Sequence, residues 1–242
     1  MKRITDFFEK ITFEGETFQE EMMYSPEATA AFVKHANERD LHAHGISMPD
    51  SPLTYDWKSV RKFNEGTLIS YADFSTFLAG LQSKNINGIY KYHYPSAGGL
   101  YPIDIFIYVK ENRIENVKQG LYQYHPLQNT LQLVSTEKIP VTLHYYGNRH
   151  IFSSSAFSVY LFYVPSASYP KYGGMGMFYG ILDSGILLEF MGKSARKKGI
   201  GSCIIGNLDF QKFNYNFSQE KERLYLCGME MGLPLQENDN AE

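Results

Sequence analysis

Cysteine is scarce in this chain, with two among 242 residues, Cys203 and Cys227, both in apolar settings. Two buried free thiols rather than a disulfide are expected, which implies a reducing, cytoplasmic location. No histidine follows His150 in the sequence, so the thiols lack the partners of a metal site. An excess of one charge is also missing: 23 Lys and Arg against 26 Asp and Glu leave a formal net charge of -3. Without a basic face, a phosphate-backbone partner such as nucleic acid is not expected. No apolar run is long enough to span a bilayer. Met1-Lys2-Arg3 is followed by Thr5, Asp6 and Glu9 instead of an apolar core, so no signal peptide is expected. The glycine fingerprint of a dinucleotide-binding fold is absent, which argues against a Rossmann nicotinamide enzyme. There is no internal repeat.

Aromatic residues, by contrast, are abundant. One Trp is set against 19 Tyr and 17 Phe. Such a tyrosine excess suits a cavity wall or a broad interface, because the ring buries well while the hydroxyl finds a partner. The length suffices for one substantial core with a small appendage. Residues 1–50 read as an N-terminal helical extension and residues 51–242 as the main domain. In the extension a helical pattern surrounds Pro26, with Ser25 as its cap. His35, His42 and His44 lie close together there, but Gly45 and Pro49 break the chain, and solvated or hydrogen-bonding histidines are expected. Residues 47–55 form a linker or edge loop.

In the main domain the spacing predicts a helix over residues 70–81, capped by Ser70, with Asp73 as a capping-box acid and Phe74, Phe77, Leu78 and Leu81 as one stripe. A strand is expected over 103–109, then a hairpin of 120–126 and 130–134 around Leu127-Gln128-Asn129. The most apolar strand, 157–164, should be central. A long helix over about 180–198 ends in Arg196, Lys197 and Lys198 before Gly199, with cations at the negative helix end. Short strands at 202–205 and 224–227 follow, and residues 236–242 should fray.

The most informative stretch is Tyr94-Pro95-Ser96-Ala97-Gly98-Gly99-Leu100-Tyr101-Pro102, which leads straight into the strand at 103. Two prolines bracket a Ser-Ala-Gly-Gly turn whose glycines admit unusual backbone conformations and bring main-chain N–H groups near a ligand. An ordinary tight loop is the alternative. Lys58, Ser59 and Arg61 can supply cations and a hydroxyl to a phosphate on one short arc. Gly199-Ile200-Gly201-Ser202-Cys203-Ile204-Ile205-Gly206-Asn207 reads by itself as a helix stop leading into a buried strand. Lys171-Tyr172, ahead of Gly173-Gly174, reads by itself as a surface loop.

Pro95 to Pro102 resembles the P-S-A-G-G-L-Y-P signature of the SagB-type, or McbC-like, azoline oxidases of the FMN-dependent nitroreductase superfamily. Residues 56–63 are similar to that superfamily's R-R-S-V-R-x-F opening, with Trp57 where the first arginine usually stands. Residues 199–207 are similar to its G-L-G-S-C-x-I-G segment, and the end of the chain resembles its last strand. The resemblance implies an α+β, nitroreductase-like fold: a central mixed, mainly antiparallel sheet flanked by helices, in a homodimer with a flavin at the interface. It implies FMN held by Lys58, Ser59, Arg61, Pro95, Ser96, Ala97, Gly98, Gly99, Leu100, Gly206 and Asn207. It also implies that Lys171 and Tyr172 match a Lys-Tyr pair that removes the ring proton of a thiazoline or oxazoline, with dioxygen as final acceptor. The family's Gln-Asn step is replaced here by Asp183-Ser184-Gly185. Tyr101, Tyr169 and Tyr179 are expected to line the cavity. The implied substrate is a peptidyl azoline, carrier-bound on a nonribosomal synthetase or within a cyclised precursor peptide. Two alternatives stay open: an NAD(P)H-dependent nitro or quinone reductase, and a non-catalytic partner of a biosynthetic assembly, which Trp57 favours.

Overall fold

The computed structural model describes Lys34, Pro49 and residues 58–206, 208–209 and 223–235. The expected helix at Pro26, His35, His42, His44, Trp57, Asn207 and the frayed end at 236–242 lie outside the described residues. The chain divides into two compact units, Glu16–Lys58 and the remainder. In the smaller one Lys34 is helical and exposed. All that follows concerns the larger.

The sheet comprises β3 (Ile103–Val109), β4 (Gly120–His125), β5 (Thr130–Ser135), β6 (Phe157–Tyr163), β7 (Gly201–Ile205) and β8 (Leu224–Gly232), preceded by a small hairpin of β1 (Lys84–Ile86) and β2 (Ile89–Lys91). Its strand order is β5-β4-β3-β6-β8-β7. Every pairing among these six strands is antiparallel; a parallel relation occurs only at the isolated Ile69–Ile114 bridge among the described residues. The helices are α1 (Tyr71–Ala79), α2 (Arg149–Ser154), α3 (Pro165–Tyr172) and α4 (Met175–Arg196). No helix among the described residues is long and apolar enough to cross a membrane.

Side chains of a strand alternate between faces, and here both faces are covered. Ile103, Ile105, Ile107 and Val109 of β3 join Val159, Leu161 and Tyr163 of β6 under Phe74 and Phe77 of α1 and Leu187, Leu188 and Met191 of α4. The alternate residues, Phe106, Tyr108, Tyr160 and Phe162, form a second core with Leu143, Phe152, Leu208 and Tyr225. All of β6 is therefore buried, which is why its sequence is an unbroken apolar run. The capping box at α1 forms as the spacing predicts: Asp73 N–H donates to Ser70 Oγ at 3.0 Å and Ser70 O–H donates back to the Asp73 carboxylate at 2.7 Å.

Three boundaries differ from the sequence reading. The last strand runs to Gly232 instead of ending at Cys227. Lys171 and Tyr172 close α3 instead of lying in a glycine-rich loop. The long helix begins at Met175, five residues before the expected Gly180. Glycine disfavours helix in isolation, but a Cβ at Gly180 would lie 2.6 Å from the Tyr163 ring, so the missing side chain is what lets α4 lie close on β6. Both cysteines are free, with Cys203 buried and Cys227 half-buried. Burial pushes the Cys227 thiol up to about 11, against a smaller lowering effect of Ser184.

The far end of β6 and β8 holds a polar cluster. Glu230 accepts hydrogen bonds from Ser155 and Ser158, and Lys110 Nζ lies 3.9 Å from it. Burial raises the Glu230 carboxyl, against the lowering effect of Lys110 and the two serines. His144 is 2% exposed and stacks on Phe152 at 4.0 Å, and neither ring nitrogen has a hydrogen-bond partner among the described residues. Burial, then the charges of Lys110 and Arg149, hold its imidazole down to about 3.

An unfolded histidine titrates near 6.5, so below that pH the unfolded chain binds a proton that the folded chain refuses. Stability should therefore fall as pH drops from about 6.5 towards about 3, with His144 contributing up to about 1.4 kcal/mol per pH unit. Urea unfolding of wild type and His144→Leu across this window checks it. The variant should lose that part of the slope; equal slopes would show that His144 titrates normally.

Candidate functional site

The bracketed turn and the Lys171-Tyr172 pair come together at one end of the sheet. The first residue of β3, Ile103, pairs with the last residue of β6, Tyr163, so the turn entering β3 and α3 leaving β6 are neighbours. Residues Ala97–Gly99 make a single 3-10 turn in which Gly98 has φ 63°. Gly99 at φ 68° and Tyr101 at φ 48° share that left-handed conformation. Glycine takes it freely; tyrosine does so at a cost of about 1–2 kcal/mol.

The hydrogen bonds of the turn explain how it holds. Asp183, on the buried side of α4 and 3% exposed, accepts from Ser96 Oγ–H at 2.5 Å and from Ala97 N–H at 3.1 Å. Ser96 Oγ in turn accepts from Tyr101 N–H at 2.9 Å. Gly99 N–H and Leu100 N–H donate to the carbonyls of Ser96 and Ala97. The Ser96 hydroxyl and the Ala97 N–H, expected to face a ligand, are thus committed inside the protein. Gly98 keeps the one N–H between residues 97 and 101 without an acceptor among the described residues.

Lys171 and Tyr172 back onto this same glycine. A Cβ built on Gly98 would lie under 3.0 Å from both Tyr172 Oη and Lys171 Nζ. Lys171 Nζ also stands 5.1 Å from the centre of the Tyr172 ring, which packs edge-to-face on Tyr179 at 5.1 Å. Lys171 is exposed and Tyr172 half-buried, as a surface reading of the pair expects, and their two polar tips converge at the turn. Around them stands a wall of aromatics. Tyr92 stacks on Tyr101 at 3.6 Å, Tyr94 meets Tyr101 edge-on at 5.5 Å, and Tyr101 Oη donates to the Tyr94 carbonyl at 3.2 Å. Burial, then the neighbouring Tyr92, Tyr101 and Asp183, pushes the Tyr94 phenol far above its ordinary range. Of the three tyrosines expected to line the cavity, Tyr101 and Tyr179 pack at the site and Tyr169 is exposed on α3.

The other expected residues form a second group. Val60 N–H donates to the Ser202 carbonyl at 2.9 Å, which lays residues 59–61 along β7. Ser59 is hydrogen-bonded to Cys203, and the Arg61 charge lowers that thiol against the larger effect of burial, which raises it. Arg61 and Gly206 are exposed, and none of the described residues stands within 4 Å of where a Gly206 side chain would begin. Lys58 is exposed and is the last residue of the smaller unit. From β3 to β7 is three strand spacings, roughly 14 Å. The segments expected to converge therefore make two stations, the turn with Lys171 and Tyr172, and Ser59 with Arg61 near the start of β7, while Gly206 follows the other end of that strand. Pro95 and Leu100 frame the first.

Asp183 was noted in the sequence only as a departure from a family pattern. Its signal was there: one acid among Ile181, Leu182, Ile186 and Leu187 must find donors if its face is buried.

Comparisons with known proteins agree with this architecture. The nitroreductase family pattern matches residues 55–233. No curated protein matches the chain. Among solved structures, a chain of the Escherichia coli microcin synthetase McbBCD complex with truncated pro-MccB17 bound is similar, with a TM-score of 0.77 at 17% identity over 98% of this chain and 93% of that one. A candidate nitroreductase of Ralstonia eutropha JMP134 has a TM-score of 0.60 at 15% identity, over 79% of this chain and 89% of that one. A structure described as the oxidoreductase containing FMN has a TM-score of 0.50 at 15% identity, over 79% and 80% of the two chains.

Gly98 and Gly99 offer a matched test of the contact with the pair. Both are left-handed, but only Gly98 has side-chain atoms where a Cβ would go. Gly99→Ala should cost about 1 kcal/mol for its backbone alone. Gly98→Ala should cost more and should displace Tyr172 Oη in a crystal structure of the variant. Equal losses of stability with Tyr172 unmoved would refute the contact.

Proposed function

This chain belongs to the nitroreductase family, and from that premise we propose that it is an FMN-dependent oxidase that converts a peptidyl thiazoline or oxazoline to the thiazole or oxazole. The observation that carries the reading is the convergence of Lys171 Nζ and Tyr172 Oη on Gly98, the centre of the turn. Reducing a nitro group or quinone takes a hydride and a proton that solvent can supply, and needs no base held at a carbon acid. Aromatising an azoline does, because a proton must leave one ring carbon as a hydride equivalent leaves its neighbour.

The residues present suit FMN. An elongated cofactor with a ring at one end and a phosphate at the other needs two separated sets of donors, and the fold provides two stations. Ser59 and the Arg61 guanidinium are the donor types a phosphate dianion takes. Gly99 leaves open space beside the main chain where a flat ring system can approach. Pro95, Ser96, Ala97 and Leu100 shape the ring seat, with Gly98 offering its N–H. Bound FMN supplies the two-electron acceptor for the hydride equivalent, and dioxygen is the terminal oxidant. Lys171 and Tyr172 hold and remove the ring proton as one unit.

The fold shared with a chain of a complex that holds a truncated pro-peptide supports a peptide substrate, an azoline within a cyclised precursor peptide rather than one on a carrier domain. The protein acts as a homodimer. Met175, Phe178, Ile181, Leu182 and Ile186 form a stripe on α4 that is 40% to 51% exposed, an apolar surface that water does not favour and a second copy can cover.

Two measurements follow. Wild type supplied with a synthetic peptidyl thiazoline should take up oxygen and remove two hydrogens per ring. The Lys171→Ala/Tyr172→Ala variant should keep its FMN and lose that activity by a factor of about 100 or more. Equal turnover by both proteins would place the base elsewhere, and turnover of NAD(P)H with a quinone but not of the azoline would make the protein a reductase. In sedimentation, wild type should run near twice 27.8 kDa, and Leu182→Glu should shift it towards the monomer. A wild-type monomer would refute the dimer.

A further inference from the structure

We propose that Asp183 is a positioning residue that fixes the turn at residues 95–102 and thereby decides which of its donors face the cofactor, an inference that rests on the oxidase reading for its cofactor arm only. Three observations carry it. The Asp183 carboxylate is buried on α4, 87 positions from Ser96 in the chain, and spans two elements with the Ser96 O–H and Ala97 N–H bonds. The Ser96 hydroxyl passes the constraint on by accepting from Tyr101 N–H, so a carboxylate–hydroxyl–amide chain ties both ends of the turn. Between those ends lie the left-handed Gly98 and Gly99, and the left-handed Tyr101 closes the chain.

A left-handed tyrosine persists only when its surroundings hold it there. Here the hold is the Tyr101 N–H bond to a hydroxyl whose own proton is committed to a buried carboxylate. Charge-assisted hydrogen bonds are stronger than neutral ones, and a carboxylate is an acceptor only. Ser96 must therefore donate to Asp183, which orients its lone pairs toward Tyr101. An asparagine in that place presents one acceptor and one donor group. It cannot accept from both Ser96 O–H and Ala97 N–H through separate oxygens, and the Ser96 hydroxyl loses its fixed orientation.

The consequence reaches the site in two ways. Asp183 withdraws the Ser96 hydroxyl and the Ala97 N–H from any ligand and leaves the N–H groups of Ser96 and Gly98 as the main-chain donors of the turn without an acceptor among the described residues. It also holds Gly98 against Lys171 and Tyr172, so the seat for the cofactor and the acid–base pair share one anchor. Asp183 touches neither the cofactor nor the reacting atoms in this scheme. Its effect passes through the turn.

The test uses full-length wild type, Asp183→Asn, Ser96→Ala and the double variant. Amide exchange of the cofactor-free proteins is read first and does not depend on what the protein binds. Exchange at the hydrogen-bonded amides of Ala97, Gly99, Leu100 and Tyr101 should speed up by at least about ten-fold in Asp183→Asn, with β3 and β6 within two-fold of wild type. Ser96→Ala should reproduce this from the other side of the chain, and the double variant should add less than two-fold to the larger single effect, because one chain of bonds is being cut twice. In a second arm, FMN titrated into the apo-proteins should bind about ten-fold more weakly to each variant, and its visible circular dichroism at saturation should change. If wild type binds no FMN, the oxidase reading fails and the exchange arm still judges the anchor. Exchange within two-fold of wild type in both single variants, global loss of protection, or fully additive effects would each overturn the role of Asp183.

Discussion

The burial of β6 on both faces is the constraint on which the rest of this structure depends. Each of its seven residues is inside, so an apolar layer is required above and another below, and the neighbouring strands β3 and β8 must satisfy its backbone on either edge. α1 and α4 supply one layer; residues around Leu143, Phe152 and Leu208 supply the other. Because β3 runs antiparallel to β6, the chain enters β3 where it leaves β6. The turn at 95–102 and the short helix that ends in Lys171-Tyr172 are neighbours for that reason, although residues 103–164 separate them.

α4 links this architecture to the chemistry. Its buried side carries Gly176 and Gly180, which let it lie close to Tyr163 and Ser168, and one turn further on Asp183 reaches the turn. The same helix therefore closes the core, anchors the turn and presents an apolar stripe on its outer side. A change in how closely α4 packs on β6 would be felt at all three places, since a packed interior transmits small displacements. The polar cluster of Glu230, Lys110, Ser155 and Ser158 lies at the opposite end of the sheet and serves the fold; its members spend their hydrogen bonds on one another and on the main chain.

Much of the scaffold was legible from local pattern. The capping box at Ser70 and Asp73, the hairpin turn at Asn129 and the apolar run of β6 are short-range signals, and each formed where its spacing placed it. The start of α4 lies earlier than its pattern suggests because Gly176, close behind Gly173-Gly174, disfavours helix on its own terms, while its value lies in contacts with Ser168 and Tyr163. The turn was recognised from its glycines and prolines, and Arg61 and Ser59 from their resemblance to a phosphate-binding opening. That the turn spends its hydroxyl and most of its N–H groups internally was invisible, because the acceptor is Asp183, far away in sequence.

The sequence by itself determined the alternation that makes two-faced strands, the caps and breaks of the helices, and the residue types available for binding an anion and moving a proton. These depend on neighbours within a few positions, so periodicity and local hydrogen bonding carry them. Only the tertiary structure decided which of those residues meet. Antiparallel registry brought Lys171 and Tyr172 onto Gly98, strand order set Arg61 and Gly206 apart from them, and a buried carboxylate chose the donors that remain free. Those outcomes depend on distances between segments that the chain brings together only when its core closes.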